Sequence, residues 1–517
     1  MKVVLAGYNL DREVIEELKR HSPPCQDVTP ETLSASYARI SRDPRPADEL
    51  RAEARREVVR ARRSNQAIIF KMGHHSVAEH AVFNFDIIGA SRLALEEIEK
   101  FRLCSYTEKS QRYITLGDDF VIPEEVKKAG LEELFLRTIR SQNALYHDLY
   151  RRLRPHVFAT HQDLARNPRN HSVLEGWAKE DARYTVSLAT EGQVGLTLNA
   201  RNLELMIRRF AAVRLAEIIE INARISALAK EVAPSIILFT DATEYDAGTS
   251  GALADAARSL SWEDQAAREP VDSGRRVASS KGSVLSQSAG EETVRLVDFT
   301  PGGDDRILAA LLHSATQQPY EKCLAQARRL TESQKREFIQ TVFQRMEFYD
   351  FPPREFEYAE LTFALIVSAA CFAQLKRHRM ATLTGQSYDP ALGVTVPPSL
   401  KDVGARNDFL AVIDRTNDAF AVLRRKIGEP AAYVLTNSHR RRVLLKVNVR
   451  ELYHVSRLRQ DPTAQWDIRD VVTRMASLAQ EAVPLAGQIL GGKDEYPKLY
   501  RGIFGRFPKF SPPGYLK

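Results

Sequence analysis

The chain repeats itself, and this repeat limits its possible folds more than any other feature. Seven elements recur in the same order in the two halves of its 517 residues. Each half opens on a short apolar run, Lys2–Leu5 and Val294–Val297, that reads as a strand. Charged helical sequence follows, ARREVVRARR in one half and QARRLTESQKREFIQTVFQR in the other. Next come a mixed segment, AVFNF (81–85) or ELTFALI (360–366), and a basic turn-like stretch, KFRLCSYTEKSQRY (100–113) or KRHRMATLTGQSYD (376–389). Then ARYTVSLAT (182–190) matches AAYVLTNS (431–438), and Asn199-x-Arg201-x-Leu203 matches Asn448-x-Arg450-x-Leu452. A long amphipathic helix closes each half, with Ile218, Ile221, Ile225, Leu228 and Val232 in the first and Ile468, Val472, Met475 and Leu478 in the second. The pattern predicts a tandem duplication of one α+β domain, each copy a mixed or antiparallel sheet packed with long helices.

The stretch from Asp246 to Glu292 is rich in Ser, Ala, Gly and Asp and reads as a linker, broken by a short amphipathic turn around Leu260. The expected boundaries are therefore a domain over 1–245, a linker over 246–292 and a domain over 293–517. The longest apolar run, Leu361–Ala373, is too short for a bilayer and is expected to be a buried helix. Polar Asn9, Asp11 and Arg12 arrive too early for a signal-peptide core, so a soluble cytoplasmic protein is expected. Cys25, Cys104, Cys323 and Cys371 stand far apart, which excludes a disulfide framework and a cysteine-ligated zinc. The net charge of +7 favours anionic partners, and phosphorylated metabolites satisfy it as well as nucleic acid does.

Two clusters carry chemistry. Arg377-His378-Arg379, at the end of an apolar run, either complements a helix dipole or clamps an anion, since Arg forks match phosphate geometry. In the first half, Ser105-x-Thr107-Glu108-x-Ser110-x-Arg112 brings hydroxyl, carboxylate and guanidinium into one loop, a set able to read a nucleotide. The plainer alternative for that loop is an ST-turn with an ion pair. His74, His75, Glu79 and His80 lack the HExxH spacing, and no metal site is expected. Gly487-x-x-x-x-Gly492-Lys493 lacks the Ser or Thr of a phosphate loop and reads as a helix-ending turn. Arg440-Arg441-Arg442 and the Arg51–Arg63 run are expected to be solvated faces, and no stacking aromatics interleave with them to suggest nucleic acid.

GHHSVAEH (73–80), SYTEKSQRY (105–113), KRHR (376–379), NVREL with His454, and AQWDIR (464–469) resemble the flavin-dependent thymidylate synthase (ThyX) family. That family's signature runs Arg-His-Arg, two residues, Ser-x-Asn-Glu-x-Ser-x-Arg, and the resemblance covers both halves. It implies cofactor contacts at His80, Arg377, His378, Arg379, Asn448, Arg450 and His454. It implies nucleotide contacts at Glu108, Ser110, Arg112, Arg183, Gln374 and Arg459, with Gln374 on the pyrimidine edge and Arg459 as the catalytic arginine.

Each half keeps only part of the set. The first half replaces the triplet by Lys100-Phe101-Arg102 and has Leu205 and Phe210 where His454 and Arg459 stand. The second half has Gly385 and Asp389 in place of Glu108 and Arg112, and Ala432 in place of Arg183. The departures are complementary, so the two halves are expected to build composite sites, with a homodimer forming a pseudo-tetramer. The activity implied is FAD-dependent reductive methylation of dUMP to dTMP, with methylenetetrahydrofolate and NADPH as co-substrates. A flavoenzyme acting on another pyrimidine nucleotide, and a non-catalytic flavin- or nucleotide-binding protein, remain as alternatives.

Overall fold

The structure, a computed structural model, describes residues 1–20, 29–40, 45–56, 58–65, 75–260 and 292–512. Two four-stranded antiparallel sheets form, and each takes its strands from one half of the repeat. The first contains β1 (Lys2–Tyr8), β2 (Val82–Ser91), β3 (Ser105–Glu108) and β4 (Glu191–Asn199), in the order β1-β2-β4-β3. The second contains β5 (Val294–Phe299), β6 (Glu360–Ser368), β7 (Thr382–Gly385) and β8 (Arg440–Asn448), in the matching order β5-β6-β8-β7. The duplication is thus visible in topology as well as in motif order.

Register follows from alternation. In β2, Phe83, Phe85 and Ile87 are buried while Asn84, Asp86 and Ile88 face out, the period of two that one covered sheet face imposes. Phe83 pairs with Leu198 and Phe85 with Leu196. In the second sheet Phe363 pairs with Leu445 and Leu365 with Val443. Asn199 and Asn448 end their strands and cap the next helices, Ala200–Phe210 and Val449–Arg459, by accepting from Asn202 N–H and Glu451 N–H. The Asn of the repeated motif is therefore a helix cap in both halves.

The chain condenses into two compact units that do not follow the halves. One comprises Met1–Lys109, Phe120–Gly130 and Ala189–Leu285; the other comprises Ser110–Asp119, Leu131–Leu188 and Ser286–Lys517. Within the first unit, Phe83, Phe85, Val194 and Leu196 pack with Leu203, Ile207, Ile218 and Ile225 of its helices. Within the second, Phe363, Leu445 and Leu375 pack with Ile468, Val472 and Met475.

The second unit also holds a helical core drawn from both halves. Tyr146, Leu149 and Leu153 of helix Glu132–Thr160 share it with Phe409, Val412 and Ile413 of helix Arg406–Ile427. Gln142 fixes their alignment, donating from Nε2 to Thr416 Oγ1 and to the Val434 carbonyl, both at 2.9 Å. Leu188 N–H donates to Leu435 O at 2.7 Å and Asn437 N–H to Val186 O at 3.0 Å.

Three expectations need correction. Leu361–Ser368 is a strand, and only Ala369–Leu375 continues as helix. A short run of Leu, Phe, Ile and Val has no periodicity that separates a buried strand from a buried helix, and its β-branched, aromatic content favours the strand. Arg440 and Arg441 are buried rather than solvated. Arg440 Nε donates to Thr395 Oγ1 at 3.0 Å, and Arg441 lies between the Phe372 and Tyr388 rings, 4.5 Å from each centroid. The Arg51–Arg63 run is partly engaged as well, with Arg51 2.7 Å from the buried Asp11 and Arg62 2.5 Å from the buried Glu31.

The stretch read as linker begins inside a helix, Glu244–Arg258, closed at its start by a capping box between Thr243 and Asp246. Residues 261–291 of that stretch, like Cys25 and His74, lie outside the described residues. No helix among the described residues is long and apolar enough to cross a membrane.

Candidate functional site

Residues from both halves converge in the second unit. Gln374 lies on the short helix Ala369–Leu375, which Ser368 caps by accepting from Cys371 N–H at 2.9 Å. Arg183 opens the 3₁₀ turn Arg183–Thr185 and is buried. Both donate to one oxygen: Arg183 Nη2 lies 2.9 Å and Gln374 Nε2 lies 2.6 Å from Gln465 Oε1.

Arg459, the last residue of helix Val449–Arg459, donates from Nε to His378 Nε2 at 2.9 Å and from Nη2 to the Gln374 carbonyl at 3.3 Å. Burial first, and then the positive charges of Arg377 and Arg112, lower its pKa to about 10, so Arg112 acts within the same electrostatic field. Arg459 still carries its charge at neutral pH.

His378 is buried, and burial, with Arg459, His454 and Arg377 nearby, holds its pKa well below the usual histidine range. Its flanking residues Arg377 and Arg379 are exposed. His454 packs its ring 5.7 Å from that of His378 and 5.4 Å from Phe351. Burial, Arg459 and Arg450 lower its pKa too. Arg450 Nε donates to the Pro352 carbonyl at 2.8 Å, and its Nη1 is 3.6 Å from Glu357. Glu451, to which sequence assigned no role, lies 4.0 Å from His378 Nδ1, and burial raises its pKa to about 7.

His378, Glu451 and His454 place three possible ligand atoms within 4.8 Å of one another. Burial, with the arginine charges beside it, keeps both histidines neutral, and those same charges oppose a bare cation there.

On the first-half side, Ser110 Oγ accepts from Arg112 N–H at 3.2 Å, the ST-turn considered from sequence. Arg112 Nη1 lies 3.6 Å from Glu180, whose pKa burial raises to about 7 against the lowering charges of Arg112 and Arg183. Glu180 also lines a cleft of about 370 Å³ with His161, Trp177, Asp181, Ser399 and Trp466.

The structure thus brings Ser110, Arg112, Arg183, Gln374, His378, Arg450, His454 and Arg459 into one unit. Asn448 has its side chain occupied as a helix cap. Glu108, at the end of β3, and His80, whose ring lies 4.3 Å from that of Tyr37, belong to the other unit. The residues that sequence reasoning passed over are Gln465, Tyr184, Asp467, Glu180 and Glu451. Four of them stand in or beside quoted motifs, which was the available signal.

Two sheets of identical order define a duplicated α+β protein, and its second unit gathers a cluster of guanidinium, amide and imidazole groups drawn from both repeats. The model of the family described as thymidylate synthase complementing protein matches residues 26–235 and again 295–485, and the chain belongs to that family. The flavin-dependent thymidylate synthase of Geobacter sulfurreducens is 33% identical over 233 residues, 44% of this chain and 85% of the relative. That of Pyrococcus furiosus is 32% identical over 155 residues, 29% of this chain and about half, 52%, of the relative's length. A Chlamydia muridarum protein named UPF0159 is 24% identical over 430 residues, 79% of this chain and 77% of its own. That alignment runs through both halves.

Proposed function

We propose that the protein is a flavin-dependent thymidylate synthase that methylates dUMP to dTMP at a site shared by its two halves. The observation that carries this reading is the meeting of Arg112 and Arg183, from the first half, with Gln374, His378 and Arg459, from the second, in one compact unit. Neither half holds that set alone.

The residues suit the groups they would bind. Arg112 and Arg183 supply fixed positive charge for a nucleotide phosphate, and Ser110 supplies a hydroxyl beside it. Gln374 offers an amide to a pyrimidine edge. Arg377, Arg379, Arg450 and His454 form the donor-rich surround that a flavin dinucleotide's pyrophosphate would take. FAD, when bound, supplies the hydride that reduces the one-carbon unit from methylenetetrahydrofolate, with NADPH as the reductant. The chain's own part is to orient the uracil and stabilise charge on its carbonyl. Arg459 performs the second task, because its guanidinium stays charged while half withdrawn from water. A homodimer presenting the pseudo-tetramer of the family would set the number of sites.

A non-catalytic nucleotide-binding protein is the second reading. It is favoured by the UPF0159 relative, which matches across both halves and whose name states no activity. Expression in a thymidine-auxotrophic bacterium separates the two. Growth without thymidine supports the synthase; no growth, from protein that is soluble and flavin-loaded, contradicts it.

A further inference from the structure

Uracil and cytosine differ along one edge. Uracil presents an N3–H donor beside the O4 acceptor, and cytosine presents an N3 acceptor beside its N4 amino donor. A glutamine amide pairs with either, depending on which way round it is held. What holds Gln374 is therefore what sets the choice.

Gln374 is buried, and its Nε2 donates to Gln465 Oε1 at 2.6 Å. The same oxygen accepts from Arg183 Nη2 at 2.9 Å. A guanidinium only donates, so Gln465 must turn its oxygen toward Arg183. At the other end, Gln465 Nε2 donates to Tyr184 Oη at 2.6 Å, and Tyr184 Oη donates its one proton to Asp467 Oδ2 at 2.8 Å. Ser368 Oγ, which also accepts from Cys371 N–H, donates to that same carboxylate oxygen at 2.5 Å. Two hydroxyls converge on Asp467 Oδ2, which marks that oxygen as an acceptor; burial pushes the carboxyl's pKa up, and these two hydrogen bonds with the charges of Arg440 and Arg183 oppose that push. Every proton in the chain then has one direction. A flipped Gln374 would set two acceptor oxygens against each other at 2.6 Å.

We propose that Asp467, Tyr184 and Gln465 form a directional relay that locks the Gln374 amide, so that its carbonyl faces a pyrimidine N3–H and a uracil nucleotide is chosen over a cytosine nucleotide. This rests on the reading that the site binds dUMP with Gln374 at the base edge. Tyr184 and Gln465 are positioning residues here, since they act through Gln374. The relay joins the halves, because Arg183 and Tyr184 come from one repeat and Gln374, Gln465 and Asp467 from the other.

Calorimetric titration of dUMP and dCMP into the full-length protein tests it, with Tyr184→Phe and Gln465→Met compared against wild type and folding checked by thermal melts. Tyr184→Phe keeps the ring that stacks on Trp466 at 5.7 Å and removes only the relay hydroxyl. Wild type should prefer dUMP. Both variants should lose that preference by about 10-fold, chiefly through tighter dCMP binding, in line with the discrimination one bidentate base contact provides. A purely structural role would weaken both nucleotides equally and leave the ratio unchanged. An unchanged ratio in either folded variant overturns the relay while leaving dUMP binding intact. Wild type binding both nucleotides equally also overturns it. Wild type binding neither overturns the substrate reading and the relay together.

Discussion

Arg459 donates its Nε–H to Nε2 of His378 at 2.9 Å. The bond places the imidazole proton on Nδ1, toward Glu451, while burial and then the Arg459 charge keep the ring neutral beneath the exposed pair Arg377 and Arg379. It also locks the guanidinium plane, so the group that would polarise a uracil carbonyl is oriented before any ligand arrives. Arg459→Ala should lower kcat/KM for dUMP by ~2–4 kcal/mol, the loss seen when an oxyanion donor is removed. Arg459→Lys should not restore it, because an ammonium's rotating donors lack the fixed planar fork that meets His378 and the Gln374 carbonyl together. Steady-state kinetics of the two variants check this; full activity in either one contradicts it.

Arg112 is held by Glu180 at 3.6 Å and by a turn through Ser110. Arg112→Ala should weaken dUMP by about 10- to 100-fold, since a charge-assisted hydrogen bond is worth roughly 1.5–3 kcal/mol. Deoxyuridine, which lacks the phosphate, should bind the variant and wild type alike. Equilibrium dialysis with both ligands makes the comparison.

His439 gives a stability prediction with a defined sign. Its buried Nδ1 accepts from Thr436 N–H at 2.9 Å, and burial lowers its pKa to about 4. Unfolded, the ring titrates near ~6.5. Between those values the unfolded chain binds a proton that the folded one does not, so stability is full above pH ~6.5 and falls with pH by about 3 kcal/mol toward pH 4. Glu180 and Glu451, both raised to about 7, act in the opposite direction over part of this range. The difference between wild type and His439→Gln isolates the histidine. Urea unfolding at pH 7 and pH 4 should show wild type losing about 3 kcal/mol more than the variant.

Gly492 tests whether the glycine motif near the C-terminus is structural. A Cβ there would lie 2.9 Å from the Gln460 carbonyl carbon and 3.0 Å from Asp461 N, both backbone atoms that cannot swing aside. Gly492→Ala should cost about 1–3 kcal/mol by overpacking, with nucleotide affinity unchanged in the folded protein. A lower melting temperature with unaltered dUMP titration is the expected pair of results.

Much of this architecture was legible in the residues. Motif order announced the duplication, because repeated strand, turn and cap signals need no tertiary information. Asn199 and Asn448 could be placed at element starts for the same reason, although their capping role emerged only with the strands that precede them. Leu361–Ser368 was misread because uniform apolarity carries no period. Arg440 and Arg441 looked solvated because charge alone does not reveal a Thr or a pair of rings brought in from Phe372, Tyr388 and Thr395. The chemistry-bearing arginines and Gln374 were identifiable by motif. Gln465 and Tyr184 stand in quoted motifs too, but their roles were not legible there, since they act through hydrogen bonds linking positions 281 residues apart.

The central claim is that the two halves supply one nucleotide site, and the stoichiometry of dUMP binding tests it most directly. Calorimetry on wild type, Arg112→Ala and Arg459→Ala should find a single class of site, one per chain, that each substitution weakens by at least about 10-fold. Two independent classes per chain, one abolished only by Arg112→Ala and the other only by Arg459→Ala, would contradict it.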